Sequence, residues 1–179
     1  MSRINIPTVE ASPTASQPLL AAVHKQLGVV PNLMKLVGNS PAALEGYLSL
    51  SGALAKGSLS GPLREAIALT VAEYNGCEYC LAAHAYLGKN LAKLSDADID
   101  AARDAHASDT KTQAALQFAR QVAAQRGRVS DAELASLRAA GFNDAAVIEI
   151  VLNVALNVLT NYVNNVAHTD VDFPAVTLR

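Results

Sequence analysis

The sequence predicts an all-α protein of about eight helices that form one domain. Apolar residues recur at helical spacing through most of the 179 residues, and no segment shows the strict apolar–polar alternation of a half-buried strand. Ser or Asn, followed by Pro or an acidic residue, precedes several of these segments, as at helix N-termini. Apolar residues make up 51% of the chain and Trp is absent, so we expect Ala, Leu and Val to pack the helices closely.

The N-terminal half is predicted to contain an extended arm and then five helical segments, one of them short. Residues 1–16 are polar and include two prolines, which indicates an arm, and residues 17–179 are predicted to form the single helical domain. Glycine or proline bounds most of the segments, and Ser40 is a predicted N-cap before a proline. The segments are 17–27, 31–38, 41–56, 60–74 and 77–87, the last of which is predicted to stop at Gly88.

The C-terminal half is predicted to contain four helices, of which the last is the longest. Ser95 and Asp98 form a weak variant of the capping box, and Ser130 and Glu133 form a better one. Glycine ends two of these helices. The predicted ranges are 95–106, 110–126, 130–141 and 144–167.

The last helix is apolar enough to resemble a membrane span, but a polar stripe interrupts it. The stripe consists of Glu149, Asn153, Asn157, Asn161 and Asn165, which recur every four residues. Polar groups are costly in lipid, so we interpret the segment as a core helix and expect no membrane association. The stripe is expected to face another helix, a subunit interface or the active site, and ordinary hydrogen bonding between helices explains it equally well.

The charge and the cysteine content limit the functions that we expect for this protein. The net charge is −2 and no basic patch is interleaved with aromatic residues, so we expect no nucleic-acid partner. The first residues lack the apolar segment of a secretory signal, and we expect a cytoplasmic protein. Two cysteines spaced CxxC in such a chain indicate redox or metal chemistry rather than a structural disulfide.

The candidate site combines Cys77, Cys80 and His84 with the upstream Glu65. On a helix, positions i, i+3 and i+7 share a face, so the two thiols and the imidazole are expected to point the same way. The beginning of a helix favours a thiolate at Cys77 through unpaired N–H groups and the helix dipole. His84, four residues after Cys80, is instead placed to deprotonate Cys80. These two effects favour different sulfurs, and the spacing also suits a reversible disulfide.

Two simpler interpretations of the same residues remain open. The cysteines could be small buried apolar residues beside a core histidine, because free cysteine is often buried. Zinc could be bound by Cys77, Cys80, His84 and Glu65, although structural zinc sites usually combine two separated ligand pairs and no second pair occurs here.

The spacing of the candidate site recurs later in the chain with asparagine in place of cysteine. Glu65-x11-Cys-x2-Cys-x3-His is matched, 84 residues on, by Glu149-x11-Asn-x2-Asn-x3-His. The repeat indicates a duplicated helical unit, whose halves would pack about a pseudo-twofold axis. Because asparagine cannot perform thiol chemistry, the second copy is expected to be structural.

The Glu65…Cys77-Glu-Tyr-Cys80…His84 pattern resembles the alkyl hydroperoxidase D-like (AhpD-like) branch of the carboxymuconolactone decarboxylase family. The segments 28–32 (Gly-Val-Val-Pro-Asn) and 40–41 (Ser-Pro) resemble its peroxidase-related members, as does the closing Asn-Tyr-Val-Asn-Asn-Val-Ala-His segment. The resemblance implies an all-helical fold with internal duplication and a homo-oligomer, either trimer or hexamer. It also implies reduction of a peroxide substrate with electrons from a dithiol reductant protein, without a bound cofactor.

The resemblance also implies roles for the site residues. Cys80 would attack the peroxide, Cys77 would resolve the product as a disulfide, and Glu65 and His84 would form the proton relay. Tyr79 stands where some members carry a relay histidine, and its phenol is a poor base at neutral pH. The open alternatives are a non-peroxidatic disulfide oxidoreductase or zinc-binding module, and a decarboxylase-like lyase, although the decarboxylase branch lacks the cysteine pair.

Overall fold

The computed structural model describes residues 2–179, and within this range the protein has nine helices and no strand. The all-α prediction is confirmed, and the nine helices correspond to the nine segments predicted from the sequence, one more than the overall figure of about eight. The internal duplication stays a prediction. The helices are α1 (Gln17–Leu27), α2 (Asn32–Val37), α3 (Pro41–Leu54), α4 (Gly61–Tyr74), α5 (Glu78–Asn90), α6 (Asp96–Arg103), α7 (Thr110–Ala124), α8 (Asp131–Ala139) and α9 (Asp144–Ala167).

Capping side chains begin most of the helices where the sequence predicts. The Ser40 hydroxyl accepts a hydrogen bond from the third residue of α3, and the equivalent bond is present at α4, α6, α7, α8 and α9. Both predicted capping boxes form, because the carboxylates of Asp98 and Glu133 accept hydrogen bonds from the N–H groups of Ser95 and Ser130.

Two predicted helix ends are wrong. The motif helix α5 passes through Gly88 and ends at Asn90. A Cβ on Gly88 would approach Leu94 Cδ1 to 3.2 Å, so the glycine permits close packing inside the helix instead of ending it. Helix α6 ends at Arg103 rather than near 106, because Ala105 adopts a left-handed conformation with φ of 58°.

Helix α4 lies at the centre of the fold and packs against α5, α6, α7 and α9. Seven consecutive residues, 66–72, are buried, which is typical of a helix surrounded by others rather than one lying on a surface. Glu65 directly precedes this buried run. The central helix therefore holds one of the candidate site residues in a fixed position.

Helix α9 is the one helix in the described range with the length and apolarity of a membrane span. It packs against α3, α4, α5 and α7, and its inner face carries polar as well as apolar residues. Asn153, Asn157 and Asn161 of the predicted stripe are buried there, as is Asn164, whereas Glu149 and Asn165 are half-buried. The three central asparagines of the stripe thus face the protein interior.

The C-terminal tail after α9 has no helix and is tied back along the molecule. Asp172 accepts hydrogen bonds from Asn32 N at 2.8 Å and from the Tyr79 hydroxyl at 2.8 Å. Arg103 Nη2 donates to Thr177 O at 2.7 Å, and Arg179 pairs with two carboxylates of α6 and its C-cap. The tail therefore joins the beginning of α5 to α2 and α6.

A candidate active site at the cysteine pair

The cysteine pair lies at the point where α4 turns into α5. Gly76 has φ of 61°, a conformation that favours glycine, and Cys77 follows as the N-cap of α5 rather than as a residue of its first turn. The Cys77 sulfur accepts a hydrogen bond from the Cys80 N–H at 3.3 Å, as a capping side chain does. Cys80 is the third residue of the helix.

Only one of the two thiols faces open space. Both cysteines are free and buried, with exposed fractions of 0% for Cys77 and 2% for Cys80. Cys80 lines a cavity of about 420 Å³, to which Glu65 and His84 also contribute, and Cys77 does not line it. A small molecule in this cavity would therefore meet the sulfur of Cys80.

The surroundings make Cys80 the more acidic thiol. A hydrogen bond from the Cys77 thiol lowers the pKa of Cys80 to about 6, in spite of burial, and the charge of His84 and the amides of Asn164 and Asn161 lower it further. The same hydrogen bond, followed by burial, raises the pKa of Cys77 well above its usual range. These contacts favour a thiolate at Cys80, whereas the helix dipole alone favours one at Cys77, the N-cap of α5.

His84 and Glu65 form a pair across α5 and α4. The Nδ1 of His84 donates to Glu65 Oε2 at 2.9 Å, and the side chains are about a quarter exposed, at 23% and 25%. Burial acts to lower the pKa of His84, but the charge and hydrogen bond of Glu65, with the charge of Cys80, raise it overall. Between residues 2 and 179, no direct hydrogen bond joins the His84 ring to the Cys80 sulfur, so proton transfer between them requires a water molecule or a small ring movement.

Tyr79, between the cysteines, has a structural position. Its hydroxyl accepts a hydrogen bond from the buried Leu33 N–H at 3.0 Å and donates one to Asp172 Oδ1 at 2.8 Å. Burial is the main cause that raises the pKa of this phenol far above its usual range. The neutral Tyr79 side chain therefore links α2, α5 and the tail through hydrogen bonds, and does not carry protons.

Sequence reasoning missed three polar residues of the site. Asn164 Nδ2 donates to the Cys80 sulfur at 3.2 Å, and Tyr47 and Arg64 line the cavity. Burial, and then the charges of Cys80 and Glu65, raise the pKa of Tyr47 to about 12. The Asn164 contact was indicated by the internal repeat, in which Asn164 corresponds to Cys80, whereas nothing in the sequence pointed to Tyr47 or Arg64.

The four residues weighed as zinc ligands do not form a metal centre in the geometry observed. Across residues 2–179 there is no group of three or more His, Cys, Asp and Glu side chains arranged to hold a metal ion. One oxygen of Glu65 is instead bonded to His84, and Cys77 accepts from a backbone N–H.

Comparison with known proteins gives a family for part of the chain. Residues 41–125, which include the cysteine pair, Glu65 and His84, match the model of the carboxymuconolactone decarboxylase family. No match was found among functionally curated proteins.

Several solved structures have the same fold over almost their whole length. One is an alkylhydroperoxidase AhpD core, an uncharacterized peroxidase-related protein from Ralstonia eutropha JMP134, with 25% identity, a TM-score of 0.86 and coverage of 96% of this chain and 92% of the other. A peroxidase-related protein from Silicibacter sp. TM1040 has 24% identity, a TM-score of 0.83 and coverage of 94% and 91%. The debrominase Bmp8, as a C82A variant with 2,3,4-tribromopyrrole, has 19% identity, a TM-score of 0.80 and coverage of 95% and 91%.

Proposed function

We propose that the chain is a member of the carboxymuconolactone decarboxylase family, whose model matches residues 41–125, and that it is a thiol-dependent alkyl hydroperoxide reductase with the AhpD-like fold. The observation that carries the proposal is the asymmetry of the two thiols. Cys80 has a lowered pKa and lines the cavity, whereas Cys77 has a raised pKa, is fully buried and accepts a hydrogen bond from the Cys80 N–H. A nucleophile and a resolving thiol need these two environments.

The reaction begins with attack of the Cys80 thiolate on one peroxide oxygen. The O–O bond breaks, Cys80 becomes a sulfenic acid, and the electron pair leaves with the alkoxide. His84, which took the Cys80 thiol proton and is oriented by Glu65, returns that proton to the alkoxide to give an alcohol. The relay acts through a bridging water or ring movement, because His84 and Cys80 are not in direct hydrogen-bond contact.

Cys77 then condenses with the sulfenic acid. Its thiol displaces the oxygen as water and forms the Cys77–Cys80 disulfide, and the N-cap arrangement already holds the Cys77 sulfur 3.3 Å from the backbone nitrogen of Cys80. An external dithiol, which we propose to be a reductant protein in the cytoplasm, reduces this disulfide and becomes a disulfide itself. No bound cofactor takes part in these steps.

The cavity favours an organic hydroperoxide over hydrogen peroxide. Most of its wall is apolar, with Leu, Met and Ala side chains from α1 to α5 and α9 around Cys80. A volume of about 420 Å³ accommodates a branched alkyl or aryl group, which gains free energy as its apolar surface leaves water. We expect kcat/KM to rise from hydrogen peroxide to tert-butyl and cumene hydroperoxide.

The proposal is tested by counting thiols in reduced, metal-free protein before and after one equivalent of cumene hydroperoxide. Loss of two thiols per chain, recovered with dithiothreitol, is expected. Cys80→Ser should retain its remaining thiol and lack turnover, whereas Cys77→Ser should accumulate a sulfenic acid that dimedone traps. Two thiols that persist in the wild-type protein, or turnover by Cys80→Ser, would overturn the proposal. Stoichiometric zinc on unreactive thiols would favour the metal-binding alternative. A cysteine pair that is oxidised by disulfide substrates, which are reduced to thiols, but not by hydroperoxides would favour the oxidoreductase alternative.

The position of Arg64 in the cavity favours a second candidate function, that of a decarboxylase-like lyase. Such an enzyme needs a cation for the substrate carboxylate, and Arg64 lines the same cavity as His84. Its Nη1, however, donates to the carbonyl groups of Leu54, Ala55 and Leu59, which occupies part of the guanidinium. A lyase reaction would survive Cys80→Ser and be lost in Arg64→Met, the opposite of the expectation for the peroxidase.

Reductive debromination is a further use of a thiolate in an apolar cavity, and the similarity to Bmp8 makes it worth testing. At 19% identity the similarity shows the fold alone. Incubation of the reduced protein with 2,3,4-tribromopyrrole, followed by bromide analysis, separates the two uses of Cys80. Bromide release without reaction towards hydroperoxides would replace the peroxidase proposal.

We also propose that the protein is a homo-oligomer, a trimer or hexamer, as the family resemblance implies. The outward face of α9 carries exposed apolar side chains at spacings of three, four and seven residues. These side chains form a continuous stripe along the helix, which we name the outer stripe: Ile148, Leu152, Leu159, Tyr162 and Val166. A contiguous apolar face of this kind is typical of a protein interface, and here the proposed occupant is a second copy.

A further inference from the structure

Asn164 connects α9 to the sulfur of Cys80. Its side chain is buried, with 2% exposed, and its Nδ2 lies 3.2 Å from the Cys80 sulfur. A thiolate has no proton to donate, so the amide group must present an N–H to it. The Asn164 Oδ1, at the other end of the amide, has no hydrogen-bond partner among residues 2–179. The sulfur is thus the partner that fixes this side chain.

A second amide approaches the same sulfur from one turn earlier on α9. Asn161 is fully buried, and its Oδ1 accepts a hydrogen bond from Asn75 Nδ2 at 2.8 Å. That bond orients the amide and leaves Nδ2 without a hydrogen-bond partner in the described range, near enough to Cys80 to lower its pKa. Asn75, which immediately precedes the Gly76 turn, in turn has its carbonyl bonded by Asn165 Nδ2 at 3.0 Å. Asn75 is therefore a positioning residue for Asn161.

We propose that Asn164 is a further catalytic residue, whose amide N–H stabilises the Cys80 thiolate. The Nδ2 of Asn161, which has no partner in the described range, is available as a second donor. A hydrogen bond to a charged acceptor is stronger than one to a neutral group, so the amide favours the thiolate over the thiol. It stabilises Cys80 both as the thiolate that attacks an electrophile and as the thiolate that leaves when the disulfide is reduced. The inference rests on Cys80 being the reacting thiol in the proposed function, but not on which electrophile it attacks.

The internal repeat gives this pairing a simple origin. Cys80 and Asn164 are 84 residues apart, which is also the shift that superposes the two copies of the motif. Equivalent positions of the two copies therefore meet at the sulfur. The copy without cysteines, expected from the sequence to be structural, supplies hydrogen-bond donors to the thiolate of the copy that has them.

The test measures the alkylation rate of Cys80 by iodoacetamide against pH, with the modified residue identified by mass spectrometry in the full reduced chain. In Asn164→Ala the midpoint should rise by about one pH unit, which means about tenfold slower alkylation on the acid side of the profile. Asn164→Asp, which keeps the volume but replaces the donor with a carboxylate, should raise the midpoint further. Asn153→Ala is the matched control, because its Nδ2 donates to Glu149 O and does not contact Cys80.

The outcomes separate this inference from the proposed function. Midpoints of folded Asn164→Ala or Asn164→Asp equal to that of the wild type would overturn the inference. Asn164→Asp changes no volume, so it provides the answer if the alanine variant does not fold. If wild-type Cys80 is alkylated with a low midpoint that rises in both variants but does not react with cumene hydroperoxide, the inference stands and the peroxidase proposal fails.

Discussion

Glu65 Oε2 lies 2.9 Å from His84 Nδ1, and this contact joins the central helix α4 to the helix that carries both cysteines. Glu65 comes just before the seven buried residues of α4, so its backbone is held by the core while its carboxylate reaches the cavity. The carboxylate favours protonated His84 and fixes which nitrogen carries a proton. His84 therefore faces the cavity as a proton donor whose state depends on Glu65.

Replacing Glu65 with Gln is expected to weaken the relay without unfolding the protein. The pKa of His84 should fall, because the carboxylate that raises it is gone. We expect kcat/KM for cumene hydroperoxide to decrease about tenfold to hundredfold, within the range of general acid–base catalysis. On the basic side of the pH–rate profile, the rate should begin to fall at a lower pH than in the wild type, because His84 loses its proton earlier. Glu73→Gln is the control, since Glu73 is also on α4 but pairs with Arg103 at 2.7 Å; an equal loss there would contradict a specific relay.

Cys80 should react as a thiolate at unusually low pH. With its pKa lowered to about 6, the alkylation rate is expected to rise as pH increases through about 6 and to be near its plateau at pH 7.5, whereas a free cysteine is half ionised near about 8.5. Cys77, whose pKa is raised, should stay protonated throughout. In Cys77→Ala the midpoint should move upward, because the hydrogen bond that contributes most to the lowered pKa is removed. A wild-type midpoint near 8.5 would refute this assignment.

The helices and the cysteine motif could be predicted because their causes are local. A capping residue and the third residue after it, as in Ser95 and Asp98, carry enough information to begin a helix. Gly88 misled the prediction because a glycine that permits close packing has the same letter as one that ends a helix. The difference lies in Leu94 and Ile99, which reach Gly88 only in the folded chain.

The choice of the reactive sulfur could not be settled from the sequence, because it depends on contacts between distant segments. The local arguments favoured Cys77 through the helix end and Cys80 through His84. The contacts that favour Cys80 include the one-residue shift that makes Cys77 an N-cap, and the hydrogen bond from Asn164, which is 84 residues away. The sequence did show the repeat that contains Asn164, but contact between its copies is a property of the packed helices.

Tyr79→Phe is expected to loosen the C-terminal tail and lower stability. The change removes the acceptor for the buried Leu33 N–H and the donor to Asp172, so the free energy of unfolding should fall by about 1–3 kcal/mol. Hydrogen exchange of residues 169–179 should become faster. Tyr86→Phe is the matched control, since both rings lie 5.8 Å from Phe173 but the Tyr86 hydroxyl makes no hydrogen bond within residues 2–179. Identical effects of the two variants would show that ring packing alone holds the tail.

Val166→Glu is expected to dissociate the proposed oligomer. Val166 belongs to the outer stripe and is 64% exposed in the single chain, so a carboxylate there costs little in the monomer but is unfavourable in an apolar interface. Light scattering coupled to size exclusion should give the mass of an oligomer for the wild type and a smaller mass for the variant. Val29→Glu, at a 54% exposed site between α1 and α2 that is not part of the outer stripe, should leave the mass unchanged. A monomeric wild-type protein would rule out the proposed assembly.

Glu65 and Glu149 are the equivalent glutamates of the two copies, and their substitution should affect different properties. We expect a change in reactivity at Glu65 and a loss of stability at Glu149. Glu149 Oε2 accepts from Ser58 N at 2.8 Å, from the Ser58 hydroxyl at 2.9 Å and from Leu59 N at 3.2 Å, and so ties α9 to the segment before α4. Glu149→Ala is therefore expected to lower the free energy of unfolding by about 1–2 kcal/mol, while the alkylation midpoint of Cys80 stays within about 0.3 units of the wild type.

Glu65→Gln should change the reactivity profile with less effect on stability. Matched thermal melts and alkylation profiles of the two variants provide the comparison. If Glu149→Ala shifted the Cys80 midpoint as strongly as Asn164→Ala, the second copy would act on the thiolate as a whole, and the specific role of its asparagine would be lost.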